Sequence, residues 1–578
     1  MVTDFAPSFR LPTRGVYPVG WCLLLVGGSA GMLAAAFAPV GWWPLAYVAL
    51  VPMGVLAIRC PSGCRLAWTG FVGMLAWWLI MTSWLMPVSL GGYILLALLQ
   101  AAYQTGAIVV IWYVSRIYRS AATIAMPLVW VSFEAIRACF PLGGFAWFLI
   151  GHSQSSFLPE QSAGRIVQIA DVFGEHGVSF VVLMTNGLVV DLLTQSLFER
   201  SRHGRTRLRR IMRAALMLWA ASMVGSWAYG QYRILQFDQV TQPGLQIAVI
   251  QTDVSQDNKI RRTLEQDRTD WARMVELTRA ASAGWPGADL FVWPETMVPV
   301  PVNPDARASL AQQENGGYGP NAYHRQIQAL ARELNRPMLV GAPAGERWNG
   351  TAGIFEHRAN VVHLYYADGV QAPQRYDKIH LVPFGEYLPG IDALPLLKSM
   401  FLRYISPYEV DYSLVPGRTR TVFEIRGEPG HPTRIATPIC YEDVDAALVR
   451  SMVYADGGSK RVDMLVNLTN SAWYPGIAQQ PQHLQIATLR SIENRVPTAR
   501  SVNSGISGFI DSIGRVGPVR GMDRRSVDAT GWAAAVVHYD SRRSIFGQVG
   551  RVPIMAMVVA TALLIVGGWF RHSRLFYQ

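Results

Sequence analysis

The sequence predicts an α-helical membrane bundle of about eight transmembrane helices joined to an α/β domain outside the membrane. Three observations lead to this mixed fold class. Apolar residues make up 51% of the chain and charged ones 16%, against about a quarter in soluble domains. Apolar runs long enough for the hydrocarbon core crowd residues 18–230 and return once at 552–570. From Gly244, short β-rich runs alternate with amphipathic helical ones, the rhythm of a layered α/β domain.

Residues 1–17 are polar with Arg10 and Arg14, and the apolar run from Pro18 to Phe37 has the outline of a signal peptide. Pro39, directly after Ala38, obstructs cleavage, and further spans follow at once, so the run is read as a first membrane helix. The next are expected near 42–58, 66–86, 90–117, 122–140, 166–194 and 212–230. Arg10/Arg14, Arg59/Arg65, Arg116/Arg119, the Arg200 to Arg213 block and Arg571/Arg574 fall in alternate connections, while Pro87 to Ser89 and the 141–164 loop are poor in charge. Positive charge stays on the cytoplasmic side, so both termini are expected there and residues 232–551 across the membrane, in the periplasm of a bacterial-type inner membrane. This divides the chain into a transmembrane domain of seven helices (1–231), a catalytic domain with connecting arms (232–551) and a last helix with its tail (552–578). The formal charge of +12 belongs to this topology: the basic blocks lie beside apolar runs without an aromatic-interleaved stripe, which argues against nucleic acid as a partner.

Five cysteines are scattered, four in or beside the N-terminal apolar segments. Cys60 and Cys64 lack a second ligand pair, so zinc is not expected there. Glu134 and Arg137, three apart on one helix face, are placed to pair. The aromatic, nearly neutral stretch Phe145 to Gln154 suits the headgroup level.

In the polar region Leu245 to Gln251, Asp289 to Trp293, Pro337 to Gly341, Val361 to Tyr365, Ile435 to Cys440 and Met464 to Leu468 read as strands. Asp267 to Ala283 and Gln482 to Glu493 read as helices, and Val516 to Arg551, without clear period, reads as a return path to the last span. Cys440 ends an apolar β-like run with acids directly behind it. An isolated Cys is more often a buried structural residue, but a thiol is also the strongest nucleophile near neutral pH when a base or positive field assists it. Glu295 stands at the tip of the Pro-stopped strand Leu290 to Trp293, where desolvation can poise a carboxylate as base. Lys378 lies in Arg375 to Glu386, in a chain that otherwise favours Arg. Nucleophile, proton acceptor and positive group are the parts acyl transfer requires.

The strings Trp293-Pro294-Glu295, Lys378-x-His380-Leu381-Val382-Pro383-Phe384-Gly385-Glu386 and Cys440-Tyr441-Glu442, in that order, resemble the carbon-nitrogen hydrolase (nitrilase) superfamily. That resemblance implies an αββα sandwich with Glu295 as general base, Lys378 at the oxyanion and Cys440 carrying the acyl group. Glu386 and Glu442 would orient Lys378 or bracket the nucleophile, Tyr441 would help shape the oxyanion pocket, and Trp473 would support the site. Placed between the seventh and eighth spans, such a domain is similar to the apolipoprotein N-acyltransferase family. Membership would imply a phospholipid acyl donor, a thioester on Cys440, a diacylated apolipoprotein acceptor, surrounding membrane lipids, a monomer and no cofactor. The sequence departs from that family at Ile260, Ala359-Asn360, Ser471 and Tyr474-Pro475. A membrane-tethered amidase or esterase-like hydrolase is the second reading, and a scaffold carrying an inactive domain the third.

Overall fold

The computed structural model describes residues 18–576 apart from 119–120, 158–163, 195–201, 256–262, 312–318, 392–393, 395, 397, 401–412, 428–431, 475, 477 and 518–529. The N-terminal part is a helical bundle: α1 (Val19–Ala36), α2 (Val51–Arg59), α3 (Gly63–Met81), α4 (Leu90–Tyr118), α5 (Ala122–Arg137), α6 (Ala170–Thr194) and α7 (Arg202–Leu235). The last helix, Val552–Phe576, returns to this bundle, where Thr561 bonds Ser132 of α5 at 2.9 Å and Tyr118 of α4 donates to the Leu564 carbonyl at 2.9 Å. Among the described residues six helices are long and apolar enough to cross a membrane, fewer than the eight expected. The expected span at 42–58 is a 3-10 turn followed by the 9-residue α2, and that at 122–140 is the 16-residue α5, which carries Pro127 inside it. Composition registered both apolar runs but not where the backbone breaks.

The remaining chain forms two sheets. β1 (Thr241–Gln251), β2 (Leu290–Val292), β3 (Met338–Asn349), β4 (Ile354–Tyr365) and β5 (Gln371–Asp377) belong to the first; β6 (Phe423–Arg426), β7 (Pro432–Ala436), β8 (Met464–Thr469), β9 (Thr498–Val502) and β10 (Gly508–Ile510) form the second. β11 (Gly531–Asp540) joins the first sheet, antiparallel to β1, to give the order β11-β1-β2-β3-β4-β5; the second runs β10-β9-β8-β7-β6. The stretch expected to be a mere return path therefore contains an edge strand, masked in sequence by its three consecutive alanines, Ala533 to Ala535.

Period-two alternation builds the sandwich. Ile247 and Val249 of β1, Leu290 and Val292 of β2 and Leu339 of β3 face the second sheet, packing with Ile435, Leu465, Leu468 and Ala499. Their neighbours Ala248, Ile250, Phe291, Met338 and Val340 face the other way, against Trp271 and Met274 of helix Leu264–Gly284 and Tyr323 and Ile327 of helix Pro320–Leu334. On the far side, helix Gln479–Asn494 fills the space between the second sheet and the bundle: Ser491 bonds Thr498 of β9 at 2.7 Å, while Leu489 and Ile492 pack on Val178 and Val181 of α6. The result is an αββα sandwich seated on a helical bundle.

The seat is ionic as well as apolar. Arg490 meets Glu175 at 2.5 Å, Arg495 and Arg233 each meet Asp171 at 2.8 Å, and the Glu175 N–H donates to Glu493 at 2.7 Å. The acids in the first turns of α6 are thus a socket for two arginines of the sandwich. The helix is broken there at Gly174 (φ 69°, ψ −176°), where a Cβ would lie 2.9 Å from the Phe546 ring, so a side chain would meet both steric and backbone cost.

Candidate active site

Cys440 opens a 3-10 turn, Cys440–Val444, just beyond β7, and adopts φ +50°, a left-handed conformation that costs a side-chain-bearing residue about 1–3 kcal/mol. Glu442 holds it there. One carboxylate oxygen accepts from the Ile439 N–H at 2.7 Å; the other accepts from Ile379 and His380 N–H at 2.6 and 3.0 Å and from the Tyr376 hydroxyl at 2.8 Å. The turn bearing the thiol is thereby fastened to the segment that follows β5, which begins with Lys378.

Lys378 is 1% exposed, its N–H bonded to the Asn360 carbonyl at 2.9 Å. Its ammonium donates to Glu386 at 2.6 Å and to Glu295 at 3.3 Å. Glu386 is itself fixed by the Val382 N–H at 2.8 Å. Glu295, just past β2, is 6% exposed and receives the Asn360 amide at 2.6 Å on one oxygen and the Asn470 N–H at 2.8 Å on the other. Three strand ends thus converge, as is usual for chemistry on α/β folds.

The charges set the protonation states. Burial opposes the Lys378 charge, yet Glu386 and Glu295, with the Cys440 sulfur, raise its pKa well above the ordinary lysine value, so it stays an ammonium. Burial, followed by the Glu295 carboxylate, pushes the Cys440 thiol well above its ordinary range against the opposing pull of Lys378. The resting sulfur therefore keeps its proton, and attack requires a base. Burial also raises Glu442 to about 7 despite the N–H groups of Ile439 and His380. A carboxyl in an unstructured chain titrates near about 4.3, so the folded protein binds the extra proton in the interval. The stability this contributes is full at acid pH and is lost as pH rises through about 7. A Glu442→Gln variant has no such proton to lose, so its Tm is expected to rise relative to the parent as pH goes from about 4.3 to about 7 and to stay level above that. A pH-independent offset in thermal melts would contradict this.

Of the expected supporting residues, Glu386 bonds Lys378, whereas Glu442 is bonded to the turn that bears Cys440 and not to the lysine. The Tyr441 ring turns toward the bundle, stacked on Trp147 at 6.4 Å with planes 4° apart, and its hydroxyl donates to the Gly144 carbonyl at 3.4 Å. Trp473 is half-buried at the end of a short turn, Ser471–Trp473, that Asn470 caps through the Ala472 N–H at 3.2 Å. Ser471 is buried in that turn, and Asn360, one of the departures, is the side chain that grips Glu295. Ile260 and Pro475 lie outside the described residues.

Sequence reasoning missed Asn360, Asn470, Tyr376 and Tyr474. An Asn directly before the apolar pair Val361-Val362 of β4 was the available signal for the first. The Phe145 to Gln154 stretch is buried almost throughout, between bundle and sandwich. Glu134 and Arg137 both grip it: Arg137 donates to the carbonyls of Phe145, Trp147 and Phe148 at 2.8–3.0 Å and Glu134 accepts the Ile150 N–H at 2.9 Å. Among the described residues no group of three or more His, Cys, Asp or Glu is placed to hold a metal ion.

An αββα sandwich seated on a membrane bundle, with a cysteine on a strained turn beside a buried lysine and glutamate, has the plan of a membrane-bound carbon-nitrogen hydrolase. The family model for carbon-nitrogen hydrolase matches residues 246–525, and that for the apolipoprotein N-acyltransferase N-terminal domain matches residues 29–188. Apolipoprotein N-acyltransferase of Geobacter metallireducens is 29% identical over 560 residues, covering 94% of this chain and 95% of that protein. Its counterpart from Chlorobaculum tepidum is 29% identical over 513 residues, covering 85% and 86%. A solved carbon-nitrogen hydrolase from Helicobacter pylori, 13% identical, covers 51% of this chain and 88% of its own with a TM-score of 0.33, too loose to bear on the site. The chain belongs to the apolipoprotein N-acyltransferase family.

Proposed function

We infer that the chain is an acyltransferase that N-acylates apolipoproteins, with Cys440 as nucleophile, Glu295 as general base and Lys378 as oxyanion partner. The observation that carries the roles is the buried Lys378 held between Glu295 and Glu386, within electrostatic reach of a protonated thiol on a strained turn. Glu295 takes the thiol proton as sulfur attacks the ester carbonyl of a phospholipid, and the oxyanion forms beside the Lys378 ammonium. The C–O bond breaks, the proton passes to the departing alkoxide, and a lysophospholipid leaves a thioester on Cys440. The neutral α-amine of a diacylglyceryl-cysteine then attacks. Glu295 takes the amine proton, the C–S bond breaks, and the sulfur recovers that proton. Exclusion of water separates transfer from hydrolysis.

The working arrangement is a monomer in the bacterial inner membrane, divided at 231/232 and 551/552, with both termini cytoplasmic and the sandwich in the periplasm. Counting six spans or eight leaves an odd number ahead of the sandwich, so its side is insensitive to the short helices. Both substrates are lipid-anchored, which favours a site resting on the membrane bundle.

Intact-mass analysis of the purified chain with phospholipid tests this. Gain of one acyl chain is expected, absent in Cys440→Ala and discharged by a diacylated lipopeptide. Equal discharge by water alone would point to the hydrolase, and no acylation to an inactive domain. On spheroplasts, an impermeant maleimide should label Cys440 by peptide mapping; labelling only after lysis would reverse the orientation.

A further inference from the structure

Tyr441 follows the nucleophile in the chain, and Tyr474 lies four residues beyond Asn470, which binds Glu295. Neither tyrosine stands alone. Tyr441 stacks on Trp147, and Tyr474 sets its edge against Trp84 at 5.0 Å with planes 82° apart. Trp84 comes from the 3-10 turn Ser83–Leu85 after α3, and Trp147 from the loop after α5; the two indoles touch at 5.5 Å between centroids. Tyr441 and Tyr474 pack into the core of the bundle with both tryptophans.

Both indole N–H groups donate to the same oxygen. Trp84 reaches Oε1 of Gln482 at 3.2 Å and Trp147 reaches it at 3.1 Å, while Nε2 of Gln482 donates to the Ala38 carbonyl, beyond α1, at 3.1 Å. An indole offers only a donor and a carbonyl only an acceptor, so the orientation of this amide is fixed by its partners. Gln482 is 4% exposed on helix Gln479–Asn494, whose apolar contacts with α6 need no glutamine at this position. A buried amide that gathers three separate bundle segments, two of them the backing of Tyr441, the neighbour of Cys440 in the chain, and of Tyr474, which lies within electrostatic reach of the thiol, is placed to govern the walls of the acyl site.

We propose that Gln482 is a positioning residue for acyl transfer: by holding both indoles it fixes the aromatic walls that Tyr441 and Tyr474 present around Cys440. The proposal rests on the acyltransferase reading and adds that the acyl chain of the thioester is gripped by rings whose placement is set from the bundle. It touches neither sulfur nor substrate, so its effect is on how the chain is held and on water entry.

The test uses the full chain in phospholipid-containing micelles as a double-mutant cycle: parent, Gln482→Leu, the pair Trp84→Phe with Trp147→Phe, and all three together. Cys440 acylation is followed in single turnover, and the preformed thioester is partitioned between lipopeptide and water. Gln482→Leu is expected to slow acylation by about 10-fold and to send a larger share of thioester to water, with the rate of Cys440 alkylation by iodoacetamide unchanged. The phenylalanine pair, which keeps the rings but lacks the donors, should match it, and the triple variant should be no worse. Parental rates and partition in Gln482→Leu, or losses that multiply in the triple variant, would overturn the proposal. Should Gln482→Leu not fold, the phenylalanine pair decides: parental behaviour there overturns it equally. A parent chain that forms no thioester, or passes none to the lipopeptide, fails at the acyltransferase reading itself and takes this proposal with it.

Discussion

Replacing Glu295 by Gln is expected to slow acyl-enzyme formation by about 10²–10⁴-fold in a protein that still folds. The loss is chemical. Burial and the Glu295 charge keep the Cys440 sulfur protonated, so removing the base leaves a thiol with no route to thiolate. The fold tolerates the change because the new amide can still accept the Asn470 N–H, and Asn360, whose own Oδ1 is buried without a partner, can turn over to receive the introduced NH2. Lys378 keeps Glu386 at 2.6 Å. Single-turnover acylation measured beside a thermal melt checks both halves. Parental acylation rates in the variant would remove Glu295 from the mechanism.

Lys378→Met is expected to fail on both counts. Removing one partner of a buried ion cluster leaves carboxylates without compensation, a cost of about 3–5 kcal/mol, and here two acids, Glu295 and Glu386, lose the same ammonium. Loss of the oxyanion partner should lower acylation by a further factor of about 10²–10³ in whatever fraction remains folded. A depressed Tm that partly recovers when the pH is lowered enough to protonate the orphaned acids would identify the charge imbalance as the cause. A Tm equal to that of the parent would contradict the buried-cluster account. Lys378→Arg is no remedy, because a planar fork cannot place a compact charge between two acids already 2.6 and 3.3 Å away.

The proposed catalytic residues were legible one by one: Glu295 and Cys440 stand where apolar runs stop, after Trp293-Pro294 and after Ile439, and Lys378 is a lysine at the end of β5 in a chain that otherwise favours Arg. What holds them was not. The grip of Asn360 on Glu295 joins positions 65 apart, and the clamp of Glu442 on Ile379 joins positions 63 apart. Neither separation has a periodic signature. The strands were read from short β-branched and aromatic runs, and β11 was taken with its flanks as a segment of no clear period because Ala533 to Ala535 separate Trp532 from the Val536-Val537 pair. The count of eight is not reached among the described residues for a related reason: hydropathy measures how greasy a stretch is, while the 3-10 turn before α2 and the end of α5 at Arg137 decide how far those helices run. The role of Asp171 and Glu175 has no local signal either, because their partners Arg495 and Arg490 lie more than 300 residues away.

The paired edge of β1 and β11 brings Thr241 opposite Asp540, so the inserted lobe leaves the bundle and rejoins it through one narrow neck. Such a neck invites excision as a water-soluble fragment. The underside argues otherwise: severed from α6, Arg490 would lose Glu175 and keep only Glu493, and Arg495 would lose Asp171, at the end of a helix whose every residue is now hidden. A soluble version would have to be redesigned along that helix, not merely trimmed at its stem.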